Sequence, residues 1–172
     1  MAARFSILMV CMGNICRSPT AEGVFRHLVR QAQLEELVHI DSAGTLDYHV
    51  GSPPDERSRR HAQKRGYDLS ALRARQVHRL DFEQFDLILA MDWQNLKELR
   101  ELCPLQHRPK LRRLMEFAPA GWGEVVADPY YGGHDGFEAV LDDVEQACEG
   151  LLDHVRAALE LRGRASDKPD SP

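Results

Sequence analysis

The chain has 172 residues, 43% of them hydrophobic and 28% charged, which suits one soluble globular domain with a sizeable core. A formal net charge of −5 disfavours nucleic acid or an anionic membrane surface as partner. No apolar stretch approaches the roughly 20 residues of a membrane span.

Residues 5–10 are apolar and β-branched and stop at a Gly-Asn turn, which predicts a first strand. With Arg4 alone before it and no small-residue cleavage site after it, this run is not a secretory signal, so the cytoplasm is the expected location. Ser18-Pro19 predicts an N-cap with proline at the first helical position, and Ala21, Val24, Phe25, Leu28 and Val29 carry that helix to about Leu34. Residues 38–41 form a short second strand ended by Ser-Ala-Gly, and residues 44–54 an exposed loop holding an aromatic. Residues 55–65 form a polar, basic helix stopped by Gly66. The near-continuous apolar run 85–91 is the mark of a parallel strand buried on both faces. Asp92 caps a helix that ends before Pro104, and residues 111–117 are the candidate fourth strand. A long helical pattern covers 137–161, and 163–172 reads as a disordered tail beyond a single domain over 1–162. Strands alternating with helices predict an α/β fold: a doubly wound parallel sheet with helices on both faces. Such sheets bind ligands at the carboxyl ends of their strands, where Cys11 falls.

The loop from Cys11 to Ser18 joins strand to helix, so the backbone N–H groups of Met12, Gly13, Asn14, Ile15 and Cys16 can form an anion cradle. The positive end of the helix dipole stabilises a thiolate there. Arg17 offers a planar fork for two phosphate oxygens, and Ser18 can donate to the sulfur as well as cap the helix. Gly13 permits close backbone approach, and Asn14 tolerates a left-handed conformation. Thiolate, cradle and bidentate arginine are the parts for nucleophilic attack on phosphorus. A proton donor for the leaving oxygen is also needed, and the candidate is Asp128 in ADPYYGG, against the plainer reading of a turn aspartate, with Asp92 next.

CMGNICRSP near the amino terminus together with DPYY near residue 130 closely resembles the low-molecular-weight protein tyrosine phosphatases, supported by DSAGT at 41–45 and FDLILAMD at 85–92. The resemblance spans about residues 5–160 and implies a four-stranded parallel sheet. It implies Cys11 as nucleophile, Arg17 as phosphate clamp, Asp128 as general acid, Asn14 and Ser42 as loop support, and Ser18 as thiolate donor. It implies tyrosine-phosphorylated proteins as substrates, with no cofactor and a monomer or weak homodimer. The family often has a histidine where Leu72 stands, and a tryptophan where Tyr48, followed by His49, is the nearest match.

Cys16 is either a small packing residue or a partner that traps oxidised Cys11 as a disulfide. The other two cysteines, Cys103 and Cys148, lie in helical patterns and read as core; four scattered cysteines do not make a disulfide scaffold. Arg57, Arg59, Arg60, Lys64 and Arg65 read as a solvated face, or one that attracts acidic phosphopeptides. Tyr130 and Tyr131 read as cleft walls or modification sites. His27, His61, His107 and His134 lack metal-ligand spacing, so no metal is expected. The competing functions on the same fold are a thiol-dependent arsenate reductase and a protein-arginine phosphatase. The first needs two further cysteines close together, and the second carries threonine where Ile15 stands. A non-catalytic phosphate-binding module is the third alternative, against which the intact Cys11, Arg17 and Asp128 argue.

Overall fold

In the computed structural model, residues 4–168 are described. Strand β1 (Phe5–Cys11) is central, and the sheet order is β2-β1-β3-β4 with β2 (Val38–Gly44), β3 (Leu87–Ala90) and β4 (Leu111–Arg113), all parallel. Alternation along β1 feeds two cores. Ile7, Met9 and Cys11 face the layer of α1 (Arg17–Gln31) and α5 (His134–Ser166). Leu8 and Val10 face the layer of α3 (Asp81–Gln84) and α4 (Trp93–Leu102), with Phe82, Leu96 and Leu99. Helix α2 (Glu56–Lys64) packs on α5, with Asp55 as its cap. The doubly wound four-stranded sheet therefore stands as expected.

The chain leaves β1 toward β2 on one side, and β3 lies on the other, so the carboxyl end of β1 is the switch point where the crevice opens. Gly44 lets the end of β2 approach the loop after β1: a Cβ there would lie 2.8 Å from the Met12 carbonyl oxygen. Thr45 and Leu46 donate backbone hydrogen bonds to the Cys11 and Met12 carbonyls, at 3.0 Å each.

Several boundaries differ from the sequence reading. Helix α1 begins at Arg17 with Cys16 as N-cap, so Ser18 is not the cap and Pro19 lies at the third helical position. Proline is tolerated there because first-turn N–H groups have no helical partner. The helix ends at Gln31, and Gln33 follows in a left-handed conformation, φ 58°. Strand β4 stops at Arg113, because Glu116 accepts from the Arg113 N–H at 2.6 Å and winds residues 114–117 into a 3₁₀ turn. Helix α5 starts three residues before Phe137 and continues to Ser166, into the stretch read as a tail; residues 169–172 of that stretch lie outside the described residues. Among the described residues, no helix is long and apolar enough to cross a membrane.

Candidate active site

The loop after β1 is shaped by one left-handed residue and a buried hydrogen-bond chain. Asn14 has φ 55° and is 2% exposed. Its Nδ2 donates to Ser18 Oγ at 2.8 Å and to Ser42 Oγ at 2.9 Å, and its Oδ1 accepts from the Arg75 N–H at 3.0 Å. Ser42 in turn donates to Glu22 Oε1 at 2.7 Å, and Arg26 donates to Glu22 Oε2 at 2.6 Å. Both hydrogens of the Asn14 amide are spent on hydroxyl oxygens. The hydrogen of Ser18 is thereby free to point at Cys11 Sγ, 3.0 Å away. This is where Ser18 is used instead of as a helix cap. Cys11 is buried, at the carboxyl end of β1. Helix α1 begins with no acidic residue in its first turn and no side chain on its N-terminal N–H groups, which leaves them to an anion.

Arg17 is held from behind. Its Nη1 donates to Asp92 Oδ2 at 2.6 Å and to the Val126 carbonyl at 3.0 Å, with the side chain 3% exposed. Its Nη2 lies 3.7 Å from Asp128 Oδ2. Burial works against the Arg17 charge, but Cys11, Asp92 and Asp128 outweigh it and raise the pKa. Asp92 also caps α4 through Asn95 N at 2.7 Å, so both of its oxygens are committed. Asp128 Oδ1 accepts from the Tyr130 N–H at 3.1 Å in a turn before Gly132, and its Oδ2 is turned toward Arg17.

Cys11, Arg17 and Asp128 line one cleft of about 310 Å³. Cys11, Met12, Gly13, Ile15, Cys16 and Arg17 form its floor, and Tyr48, Asp128, Tyr130 and Tyr131 its wall. Asn14, Ser18 and Ser42 lie buried behind the floor. Tyr48 and Tyr131 are largely exposed, offering flat apolar faces at the rim. Cys16 is a buried free thiol, and burial, with Asp55, Cys11 and Asp128 adding to it against a Ser58 hydrogen bond, pushes it up to about 12. At neutral pH it stays protonated, so of the two loop cysteines Cys11 is the nucleophile candidate.

The position expected to carry a histidine, Leu72, packs with Tyr67 and Leu69 on the α1/α5 core. The loop is supported by other residues: the Arg75 N–H donates to Asn14, the Arg75 guanidinium is held by Asp41 and Asp81, and Ser42 donates to Glu22. Leu46 and His49 also line the cleft; no pattern in the sequence singled out Leu46, and His49 had only its place after Tyr48. Asp92 as the partner of Arg17 was likewise not foreseen. The basic face of α2 is only partly solvated, since Arg65 pairs with Glu138, Asp142 and Glu145 of α5. Cys103 and Cys148 are buried, as expected of core residues. Among the described residues, no group of three His, Cys, Asp or Glu side chains is placed to hold a metal.

The family model for low molecular weight phosphotyrosine protein phosphatase matches residues 6–161. A low molecular weight protein-tyrosine-phosphatase of Streptomyces coelicolor is 45% identical over 165 residues, covering 94% of this chain and 99% of its own. The low molecular weight phosphotyrosine protein phosphatase of Gallus gallus is 40% identical over 150 residues, covering 86% of this chain and 94% of its own. A crystal structure of a protein tyrosine phosphatase from Entamoeba histolytica superposes with a TM-score of 0.87 at 41% identity, covering 90% of this chain and 98% of that one.

Proposed function

This chain belongs to the low molecular weight phosphotyrosine protein phosphatase family, and on that premise we propose that it hydrolyses phosphotyrosine in proteins through a cysteinyl-phosphate. Cys11 is the nucleophile, Arg17 the phosphate clamp and Asp128 the general acid and base. The observation that carries these roles is the convergence of Cys11, Arg17 and Asp128 on one cleft floored by the 11–17 loop. The phosphate seats on the loop N–H groups and the exposed side of the Arg17 fork. Cys11 sulfur attacks phosphorus while the bond to the phenolic oxygen breaks, and Asp128 gives that oxygen its proton. Asp128, now a carboxylate, takes a proton from water as the water oxygen attacks phosphorus. The S–P bond breaks, phosphate leaves and the Cys11 thiolate returns. Charge gathering on the phosphoryl oxygens meets donors already in place.

Met12, Gly13, Asn14, Ile15, Cys16 and Ser18 serve the cradle in this reading. Ser42 supports it, and Tyr48, Tyr130 and Tyr131 flank the aromatic ring of the substrate. The same reading includes tyrosine-phosphorylated proteins as partners, a cytoplasmic location, and a monomer or weak homodimer.

The test is Asp128→Asn assayed on aryl phosphates of graded leaving-group pKa. kcat/KM reports the steps through departure of the leaving group. The loss should be about 10²–10⁴-fold for phenyl phosphate, whose oxygen needs the proton, and much smaller for an electron-poor ring that leaves as an anion. Vanadate affinity should hardly change. An equal loss across the series removes Asp128 from the acid role.

A further inference from the structure

We propose that Arg57 is a positioning residue for this reaction: it ties the loop carrying Asp128 to the phosphate-binding loop and so holds the acid over the leaving oxygen. The inference rests on the reading of Asp128 as proton donor.

Arg57 lies in the first turn of α2, yet its side chain does not run out into water. It folds back onto the capping residue, with Nε 3.1 Å from Asp55 Oδ1 and Nη2 3.0 Å from Asp55 Oδ2. The same Nη2 donates to the Tyr130 carbonyl at 3.1 Å. The guanidinium also sits 4.7 Å from the Phe137 ring centroid and 5.6 Å from that of Tyr130. Such contacts favour a flat cation over an apolar stem.

Each end of this bridge leads to a reacting group. At one end, the Asp55 N–H donates to the Ile15 carbonyl at 2.8 Å, inside the loop that cradles phosphate. At the other, Tyr130, whose carbonyl Arg57 holds, presents its own N–H, on the preceding peptide unit, to Asp128 Oδ1 at 3.1 Å. One chain of contacts thus runs from Ile15 through Asp55 and Arg57 to Tyr130 and Asp128. The acid segment needs such a tie. It sits between Val126, fixed to Met91 at 2.8 Å, and the glycine pair before α5. Its Pro129-to-Gly132 turn bonds to itself at 2.9 Å. Arg57 supplies a polar anchor to the rest of the protein midway along.

The pairing contributes little to global stability. The Arg57 side chain is 37% exposed, and solvent screens an ion pair so placed. Its consequence is geometric, since a displacement of about 1 Å at a reacting group costs up to about a hundredfold in rate. Loss of the clamp therefore shows in proton donation and not in folding or in phosphate binding.

The test uses the full chain with Arg57→Ala, Asp128→Asn and the double variant, assayed by kcat/KM on phenyl phosphate and 2,4-dinitrophenyl phosphate, with vanadate affinity alongside. Arg57→Ala should lose about tenfold on phenyl phosphate and less than about twofold on the dinitrophenyl ester, with vanadate affinity held within about twofold. In the Asp128→Asn background the Arg57→Ala change should add nothing, because a missing acid cannot be misplaced. Equal losses on both esters, or losses that multiply in the double variant, overturn the inference. If the alanine variant fails to fold, Arg57→Met carries the same test, since methionine keeps a long apolar stem on Phe137 but has no donor for Asp55 or Tyr130. A flat leaving-group response in Asp128→Asn itself would instead remove the acid assignment on which the proposal rests. A graded response there, with none in the Arg57 variant, removes the positioning role alone.

Discussion

Replacing Asp92 separates what orients Arg17 from what charges it. Asp92 Oδ2 holds Arg17 Nη1 at 2.6 Å, and Oδ1 caps α4 through Asn95 N at 2.7 Å. Asp92→Ala loses both. A hydrogen bond between charged groups is worth about 1.5–3 kcal/mol, and an N-cap about 1 kcal/mol, so the variant should lose about 2.5–4 kcal/mol of stability. Asp92→Asn keeps a good capping residue and an oxygen that can still accept, and should lose less than half of that. Function moves differently. Asp92 is a negative charge close to the phosphate seat, so removing it strengthens the attraction for a phosphate dianion, while an unheld guanidinium presents its fork less often. Phosphate or vanadate affinity should therefore stay level or rise, and kcat/KM on p-nitrophenyl phosphate should fall about tenfold or more, about 1.4 kcal/mol of transition-state stabilisation. Urea unfolding, vanadate titration and initial rates measure the three quantities. Unchanged kcat/KM in Asp92→Asn would refute the orienting role. A loss that grows with leaving-group pKa would move the acid role from Asp128 to Asp92.

Arg17→Lys should be almost as damaging as Arg17→Ala, because a lysine cannot serve Asp92, Val126 and a phosphate together; a kcat/KM loss under about tenfold would contradict this. Two glycines of α5 should respond with opposite sign to alanine. A Cβ at Gly150 would meet the Phe117 carbonyl oxygen at 1.9 Å, whereas Gly163 has nothing within 4 Å. Gly150→Ala should cost about 1–3 kcal/mol in urea unfolding, and Gly163→Ala should gain about 0.5–1 kcal/mol from helix propensity; like signs would refute the packing argument. Glu138 is held down at about 2 by hydrogen bonds from His61 and Arg65. A carboxyl lowered in the folded state contributes stability that is full above its ordinary pKa of about 4.5 and is lost as pH falls toward 2. Native protein should weaken over that window more steeply than Glu138→Gln, and parallel curves of urea midpoint against pH would refute the pairing.

Local signals carried the parts of the fold that depend on local sequence. The apolar runs at β1 and β3 marked buried parallel strands because both faces of the sheet are covered. The site was legible for a related reason: Cys11, Arg17 and the residues between them lie on one strand-loop-helix connection, so spacing alone places them together. What escaped are relations between distant segments. Asp92 meets Arg17 across 75 residues, and Arg57 meets the Tyr130 carbonyl across 73. Neither aspartate nor arginine looks unusual in its own stretch, where each is a helix cap or a basic helix face. The start of α1 was misplaced because Ser-Pro is a helix-opening signal, and tertiary structure spends the serine elsewhere. The end of β4 was missed because Leu114 and Met115 are buried side by side, which reads as a continuing strand.

Leu72, where the family resemblance led to the expectation of a histidine, packs on the apolar core, and the polar network behind the loop does not pass through it. A buried polar group left without a partner costs about 1–3 kcal/mol. Here the network closes instead. Asn14 Oδ1 accepts from a backbone N–H, that of Arg75, whose guanidinium is fixed by Asp41 and Asp81. Ser42 donates its hydroxyl hydrogen bond to Glu22, and burial raises the Glu22 pKa while bonds from Ser42 and Arg26 oppose that rise. The direction of donation then follows without further help. Glu22 takes the hydrogen of Ser42, so Ser42 can only accept from Asn14, and the second Asn14 hydrogen fills Ser18. The one donor left over is the Ser18 hydroxyl, and it faces Cys11 sulfur. A carboxylate buried behind the loop thus fixes which way the last hydrogen points, and an apolar residue at position 72 costs the thiolate nothing, because no step of that chain passes through it.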